Sequence, residues 1–209
     1  MKKQMKKTVI RGLICLIILG MFLATLAPTI TARKAPKLEK PEDPVEEINL
    51  AAGYNLITIP VVNDFTAETL GQKIKGCTAI IKFNADSQTY FTHPVGSPND
   101  NFPIENGVAY YVYVESDTLF TIYDGDTIET VEVEIFKEWN TLGNYKLEPV
   151  SAEEIGQSIP GCTFISMLDL ESGKYLGHTV GSPHDNFMIP PGQGIWAYSE
   201  TKGNVWTGY

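Results

Sequence analysis

Basic residues are scarce in this chain. Lys and Arg number 16 against 25 Asp and Glu, a formal net charge of −9. Five of the 16 (Lys2, Lys3, Lys6, Lys7 and Arg11) crowd into the first 11 residues. Removing residues 1–32, which hold no acid, leaves 11 basic against 25 acidic residues, a net charge of −14. A surface that acidic repels phosphate backbones and anionic headgroups, which excludes nucleic acid as a partner. Histidine and cysteine are also few, three of each, and no two cysteines stand at a metal-ligand spacing. There is no H-E-x-x-H, no glycine-rich phosphate loop and no nucleophile beside a base, so neither a catalytic site nor a cofactor is expected. Long apolar runs are absent apart from residues 12–27.

That run gives the N-terminus its meaning. A basic stretch, about 16 uncharged residues and then the small-residue site Ile30-Thr31-Ala32 make the three-part layout of a secretory signal. Its length falls short of the ~20 residues of a spanning helix, although extension back to Val9 approaches it, so residues 1–32 read as a cleaved signal or a retained anchor. Residues 33–47 contain Pro36, Pro41 and Pro44 and almost nothing apolar. Such a segment cannot bury enough surface to fold and reads as an extended spacer. The protein is therefore expected outside the cell or at its surface, touching a membrane only through an uncleaved N-terminus.

The rest of the chain is a duplication. Shifted by 85 positions, residues 67–113 lie on 152–198 without a gap and share 22 identities in 47 pairs. AETLGQKIKGCTAI meets AEEIGQSIPGCTFI, HPVGSPNDNFPI meets HTVGSPHDNFMI, and GVAYYVY meets GQGIWAY. Further out, Tyr54-Asn55 matches Trp139-Asn140 and Phe120-Thr121 matches Trp206-Thr207. The boundaries expected are module 1 over 48–123, an acidic inter-module strand over 124–135 and module 2 over 136–209. Within each copy, β-branched and aromatic runs predict strands over 55–62, 78–83, 90–95, 108–114 and 118–123. Thr66, Leu70 and Ile74 predict one short helix, with Gly76 turning the chain after it. The fold class is mainly β (α+β): two tandem β-α-β-β-β-β modules, each a small twisted antiparallel sheet or open barrel with one helix. A pseudo-twofold relation is expected, because residues 127–135 alternate Ile128, Val131, Val133 and Ile135 with Glu129, Glu132 and Glu134, as in a half-buried strand that docks the copies.

The opening GYNLITIP (residues 53–60), the helix leading to Gly-Cys-Thr and the closings GVAYYVYV and GQGIWAYS resemble repeats of large secreted archaeal and bacterial surface or S-layer-associated proteins. Those typically open Gly-Trp-Asn-Leu-Ile and close Gly-x-x-Tyr-Trp-Val. The resemblance covers essentially all of residues 48–209 and implies a cell-surface structural or interaction module, with a cell-envelope protein or glycan as partner. Module 2 departs at its opening, Trp139-Asn140-Thr141-Leu142, which predicts an irregular first strand.

A few residue sets invite chemistry. Cys77 and Cys162 occupy equivalent positions and either form a disulfide, if they sit on a symmetry axis, or pack as two buried thiols. His93 and His178 are equivalent, and each is expected to hydrogen-bond the backbone of the Gly-Ser-Pro-x-Asp-Asn-Phe loop that follows it. His178, His184 and Asp185 form the one conceivable Zn²⁺ set. Asp100, Asn101, Asp185 and Asn186 are candidate Ca²⁺ ligands without the alternating pattern of a full shell; their simpler role is to hold the loop as Asx-turns. Glu68 and Glu153 are expected on exposed faces. Strand alternation places Tyr111 and Tyr113 opposite Tyr110, which makes Tyr111, Tyr113, Trp196 and Tyr198 candidate binding aromatics.

Overall fold

The computed structural model describes residues 44–209; the leader and most of the spacer lie outside the described residues. The molecule is mostly β. In module 1, β1 (Glu46–Leu50) pairs antiparallel with β6 (Thr118–Ile122). The remaining strands β2 (Gly53–Ile57), β3 (Cys77–Asn84), β4 (Thr89–Pro94) and β5 (Tyr110–Val114) make a four-stranded antiparallel sheet in the order β2-β5-β3-β4. Strand pairing thus begins at Glu46, two residues inside the stretch expected as spacer, because Ile48 and Leu50 join the module's core.

Module 2 repeats the plan. β7 (Val133–Ile135) pairs with β14 (Asn204–Trp206). β8 (Glu138–Gly143), β10 (Cys162–Asp169), β11 (Lys174–Thr179) and β13 (Gly194–Ser199) form the second sheet in the order β11-β10-β13-β8. β9 (Val150–Ser151) and β12 (Met188–Ile189) add a two-residue pairing, whose counterpart in module 1 is the single bridge Thr66–Pro103. None of these sheets closes into a barrel.

The helices α1 (Ala67–Lys73) and α2 (Ala152–Ser158) start at Thr66 and Ser151, whose hydroxyls accept from the N–H groups of Thr69 and Glu154. Gly71 and Gly156 let each helix lie against its sheet: a Cβ on either would run into the methyl groups of Val95 or Val180. Leu70 and Ile155 are fully buried beneath the helices.

Two expectations need correction. First, the opening strand of module 2 is regular, pairing with β13 from Glu138 to Gly143 without a break. Asn140 explains this. Its side-chain oxygen accepts from Phe136 N–H and its amide donates to the carbonyls of Phe136 and Glu138. Asn55 makes the same three bonds with Ala51 and Gly53. Second, residues 127–132 are not strand; only Val133–Ile135 is. Ile128 and Val131 are nonetheless buried in the second core, with Glu129, Glu132 and Glu134 exposed. Burial rather than hydrogen-bond pairing fixes the segment. Of the two alternatives for Cys77 and Cys162, the structure has the separate thiols: both are free. Each sits at a bulge in its own sheet and donates to the carbonyl two residues on, Ala79 or Phe164. Neither lies where equivalent residues meet.

The described residues 44–209 cluster as one unit. Several contacts between the modules come in exchanged pairs: Thr58 N–H donates to Gly192 O, and Gly143 N–H donates to Gly107 O. Bridges join Ile57 to Gln193 and Val108 to Leu142. In each case adding 85 to one residue and subtracting it from the other converts one contact into its mate. Residues 85 apart also face each other: a Cβ on Gly143 would meet Thr58, a Cβ on Gly194 would meet Ala109, and Trp196 Nε1–H donates to Tyr111 Oη at 3.0 Å.

The comparison of modules picks out two non-glycine residues in a left-handed backbone where the other copy has glycine: Gln88 (φ 53°) opposite Gly173 (φ 66°), and Glu138, the more strained. Gly53 has φ +105°, and its counterpart Glu138 has φ 76°. Holding a non-glycine residue there costs about 1–3 kcal/mol. Glu138 is exposed. Glu138→Gly is expected to raise stability by about 0.5–1 kcal/mol after the extra entropy of the unfolded glycine is counted, a Tm gain of about 1–4 °C in calorimetry. An unchanged or lower Tm counts against the strain.

Candidate aromatic groove between the sheets

Strand alternation splits the aromatics of β5. Tyr110 points into the core and is almost fully buried, whereas Tyr111 and Tyr113 point to the other face and are half-buried. In module 2 Trp196 and Tyr198 do the same. These outer sheet faces approach each other at the module junction. Phe83 meets Trp196 edge-on at 4.8 Å between centroids, and Tyr111 lies 6.3 Å from Trp196. Trp139 stands edge-on to Trp196 at 6.0 Å. Between the faces opens a groove of about 370 Å³ lined by Tyr90, Tyr111, Trp139, Ser166, Tyr175 and Trp196.

Of the four expected binding aromatics, Tyr111 and Trp196 line this groove. Tyr113 and Tyr198 share the face but pack against Tyr54 and Trp139, at 4.8 and 5.2 Å, outside it. Trp139, Tyr90 and Tyr175 complete the lining and were missed. A signal for the last two existed: each stands three residues before a buried histidine, hence on the opposite face of its strand. Tyr90 and Tyr175 are 56% and 61% exposed. Burial pushes the Tyr111 hydroxyl up to about 12, outweighing the Trp196 donor, which lowers it. It is therefore a neutral phenol whose oxygen accepts from Trp196 and whose hydroxyl neighbours that of Tyr175, which raises its pKa further.

The histidines, by contrast, serve the fold. His93 and His178 are fully buried. His93 Nδ1 bonds Asn99 O at 2.9 Å and His178 Nδ1 bonds His184 O at 3.1 Å, tying down the Gly-Ser-Pro loop. Their Nε2 atoms meet Glu68 and Glu153 at 2.7 and 2.6 Å, with a proton between each pair. These carboxylates are not on exposed faces as expected; their side chains are only 20% and 23% exposed. Each also accepts from the N–H of a loop glycine, Gly96 or Gly181. Asn101 and Asn186 turn their side-chain oxygens onto Glu68 N–H and Glu153 N–H. Asp100 and Asp185 adopt φ 59° and 58° in the loop turn, a conformation aspartate tolerates. The candidate Ca²⁺ and Zn²⁺ residues are therefore largely engaged in bracing helix to loop. Among the described residues, no group of three or more His, Cys, Asp or Glu is placed to hold a metal ion. Burial pushes the thiols of Cys77 and Cys162 up to about 11, which suppresses the thiolate.

The bracing carries a pH dependence. The Gly96 N–H and then His93 lower the pKa of Glu68; His178 and then the Gly181 N–H lower that of Glu153. A lowered folded-state value means stability that is complete above the unfolded carboxylate value, about 4.3, and is lost as pH falls through the lowered one. Tm is expected to hold above about pH 5 and to drop steeply below about pH 4. Glu68→Gln/Glu153→Gln should have a lower Tm at neutral pH and a shallower acid drop. Equal slopes for variant and parent in a pH-scanned melt would refute the assignment.

No family model, curated protein or solved structure matches the chain. Among the described residues no helix is long and apolar enough to cross a membrane.

Proposed function

We propose that the chain is an exported, non-catalytic structural or interaction protein of the cell envelope, built from two pseudo-twofold-related copies of one module and similar in kind to the repeats of archaeal and bacterial surface proteins. The observation that carries the reading is the junction. Backbone bonds and bridges between the copies pair up so that a shift of 85 in each residue, in opposite senses, turns one into its mate, which is the contact pattern of an isologous interface. Such a joint makes a rigid body rather than beads on a string, and it places the aromatic groove between the copies rather than within one. The signal-like leader and Pro-rich spacer support presentation away from a surface. The engaged histidines and suppressed thiols support a role without catalysis.

The second reading, a glycan-binding surface module, is favoured by that groove. Its Ca²⁺-binding counterpart has less support, since the Asn oxygens already serve helix N–H groups. Fractionating cells of the native host and blotting for the chain tests the main reading. Recovery with the envelope or the medium is expected. A product wholly in the cytoplasm sinks it.

A further inference from the structure

We infer that the groove between the sheet faces binds a neutral oligosaccharide, with sugar C–H faces stacked on its rings and sugar hydroxyls bonded to its phenols; this deepens the surface-interaction reading and rests on it. Five of its six lining side chains are aromatic and the sixth is Ser166. No charged side chain lines it, so nothing there selects an ionic ligand, and the acidic chain repels anions. Its volume of about 370 Å³ lies within the roughly 300–1,000 Å³ typical of small-ligand sites.

The polar groups make the selection. The Tyr111 oxygen accepts from Trp196, which fixes the phenol at the groove wall. The phenols of Tyr90 and Tyr175 stand close to it. A wholly apolar ligand would strip water from these hydroxyls without replacing it, at a cost. Half of the lining, Tyr111, Ser166 and Trp196, lies on the inner strands β5, β10 and β13, whose backbone groups are used within the sheets, and the other half, Tyr90, Trp139 and Tyr175, on the edge strands β4, β8 and β11; an extended peptide pairing to a strand edge would leave the inner half uncovered. A sugar offers both required chemistries, apolar C–H faces for the rings and hydroxyls that donate and accept. Tyr90 and Tyr175, equivalent residues from the two modules, both reach the groove, so it presents more than one ring for stacking. That suits an oligomer better than a single sugar.

The test titrates cellohexaose, xylohexaose, mannohexaose, chitohexaose and, as a charged control, oligogalacturonate into the full chain, following tryptophan fluorescence and heat. At least one neutral oligomer is expected to bind with a Kd on the order of 0.1–1 mM and to perturb Trp139 and Trp196 emission. Tyr90→Ala/Tyr175→Ala removes two largely exposed rings and should weaken binding about tenfold with Tm unchanged. No response to any neutral oligomer, binding of the charged control alone, or full affinity in the double variant overturns the inference. Binding to isolated envelopes separates the two readings. Envelope binding that survives periodate treatment of the glycans, or the double substitution, overturns the sugar site and leaves the surface reading standing. No envelope binding by parent or variant overturns both.

Discussion

Gly143→Thr is expected to destabilise the protein by about 2–3 kcal/mol or more, in the upper range of overpacking, although it only restores the residue that module 1 carries at this position. A Cβ on Gly143 would lie 2.5 Å from both Cβ and Cγ2 of Thr58 and 3.1 Å from Gln193 O. Thr58 is fully buried and anchored, its hydroxyl donating to Val108 O at 2.9 Å. It has nowhere to move. The reverse change, Thr58→Gly, loses that bond and opens a void. Combined, the two changes swap the pair: threonine occupies the gap from the other side. The double variant is expected to be more stable than the sum of the single losses by a coupling within the ~0.5–3 kcal/mol seen for residues in contact. Denaturant melts of the four proteins measure the cycle. Strict additivity would show that positions 58 and 143 do not confront each other.

Trp206→Ala should cost about 3–5 kcal/mol, as for large aromatic truncations in packed cores. Trp206 is fully buried. It meets Tyr145 edge-on at 5.7 Å and stacks on Tyr209 at 6.3 Å, and its Nε1–H donates to Ser158 Oγ at 3.0 Å. Alanine leaves a void between β14, α2 and the loop carrying Tyr145 and removes the donor to Ser158 Oγ, whose own proton still bonds Ile155 O. Trp206→Phe keeps most of the packing and loses the bond, so it should cost less than half as much. At about 2–4 °C per kcal/mol for a chain of this size, the alanine variant should melt roughly 6–20 °C lower. Because the modules share backbone bonds, both should unfold in one calorimetric transition that moves as a whole. A lowered transition for module 2 beside an unmoved one for module 1, or two stable halves after proteolysis between Ile128 and Ile135, would show independent modules.

Much of the fold was legible because it is local chemistry repeated twice. The β-branched and aromatic runs located β3 to β6 within a residue or two. Thr66 marked the helix start, since its side chain can accept from the third N–H of the helix. Alternation sorted Tyr110 inward and Tyr111 and Tyr113 outward, a consequence of the two-residue period of a strand. The burial of Ile128 and Val131 and the exposure of Glu129 and Glu132 followed from hydrophobic pattern alone. The strand assignment over the same residues did not, because pattern records burial and not the presence of a pairing partner. Module 2's regular opening strand was obscured in the same way. The Asn140 bracket that holds it depends on three-dimensional reach, and Glu138 carries no sign of its left-handed backbone.

What the sequence by itself determined, then, is a repeated β unit, its acidic surface, its sites of helix initiation and the face on which each aromatic lies. The tertiary structure alone decided which of those residues meet. Only some equivalent residues touch, and nothing in a linear chain says which. Thr58 faces Gly143, Ala109 faces Gly194 and Tyr111 accepts from Trp196, while the cysteines stay in their own sheets as free thiols. Bringing Tyr90, Tyr111, Trp139, Tyr175 and Trp196 to one groove required the outer faces of two sheets to approach across that junction, a long-range packing outcome that strand propensity and periodicity do not encode.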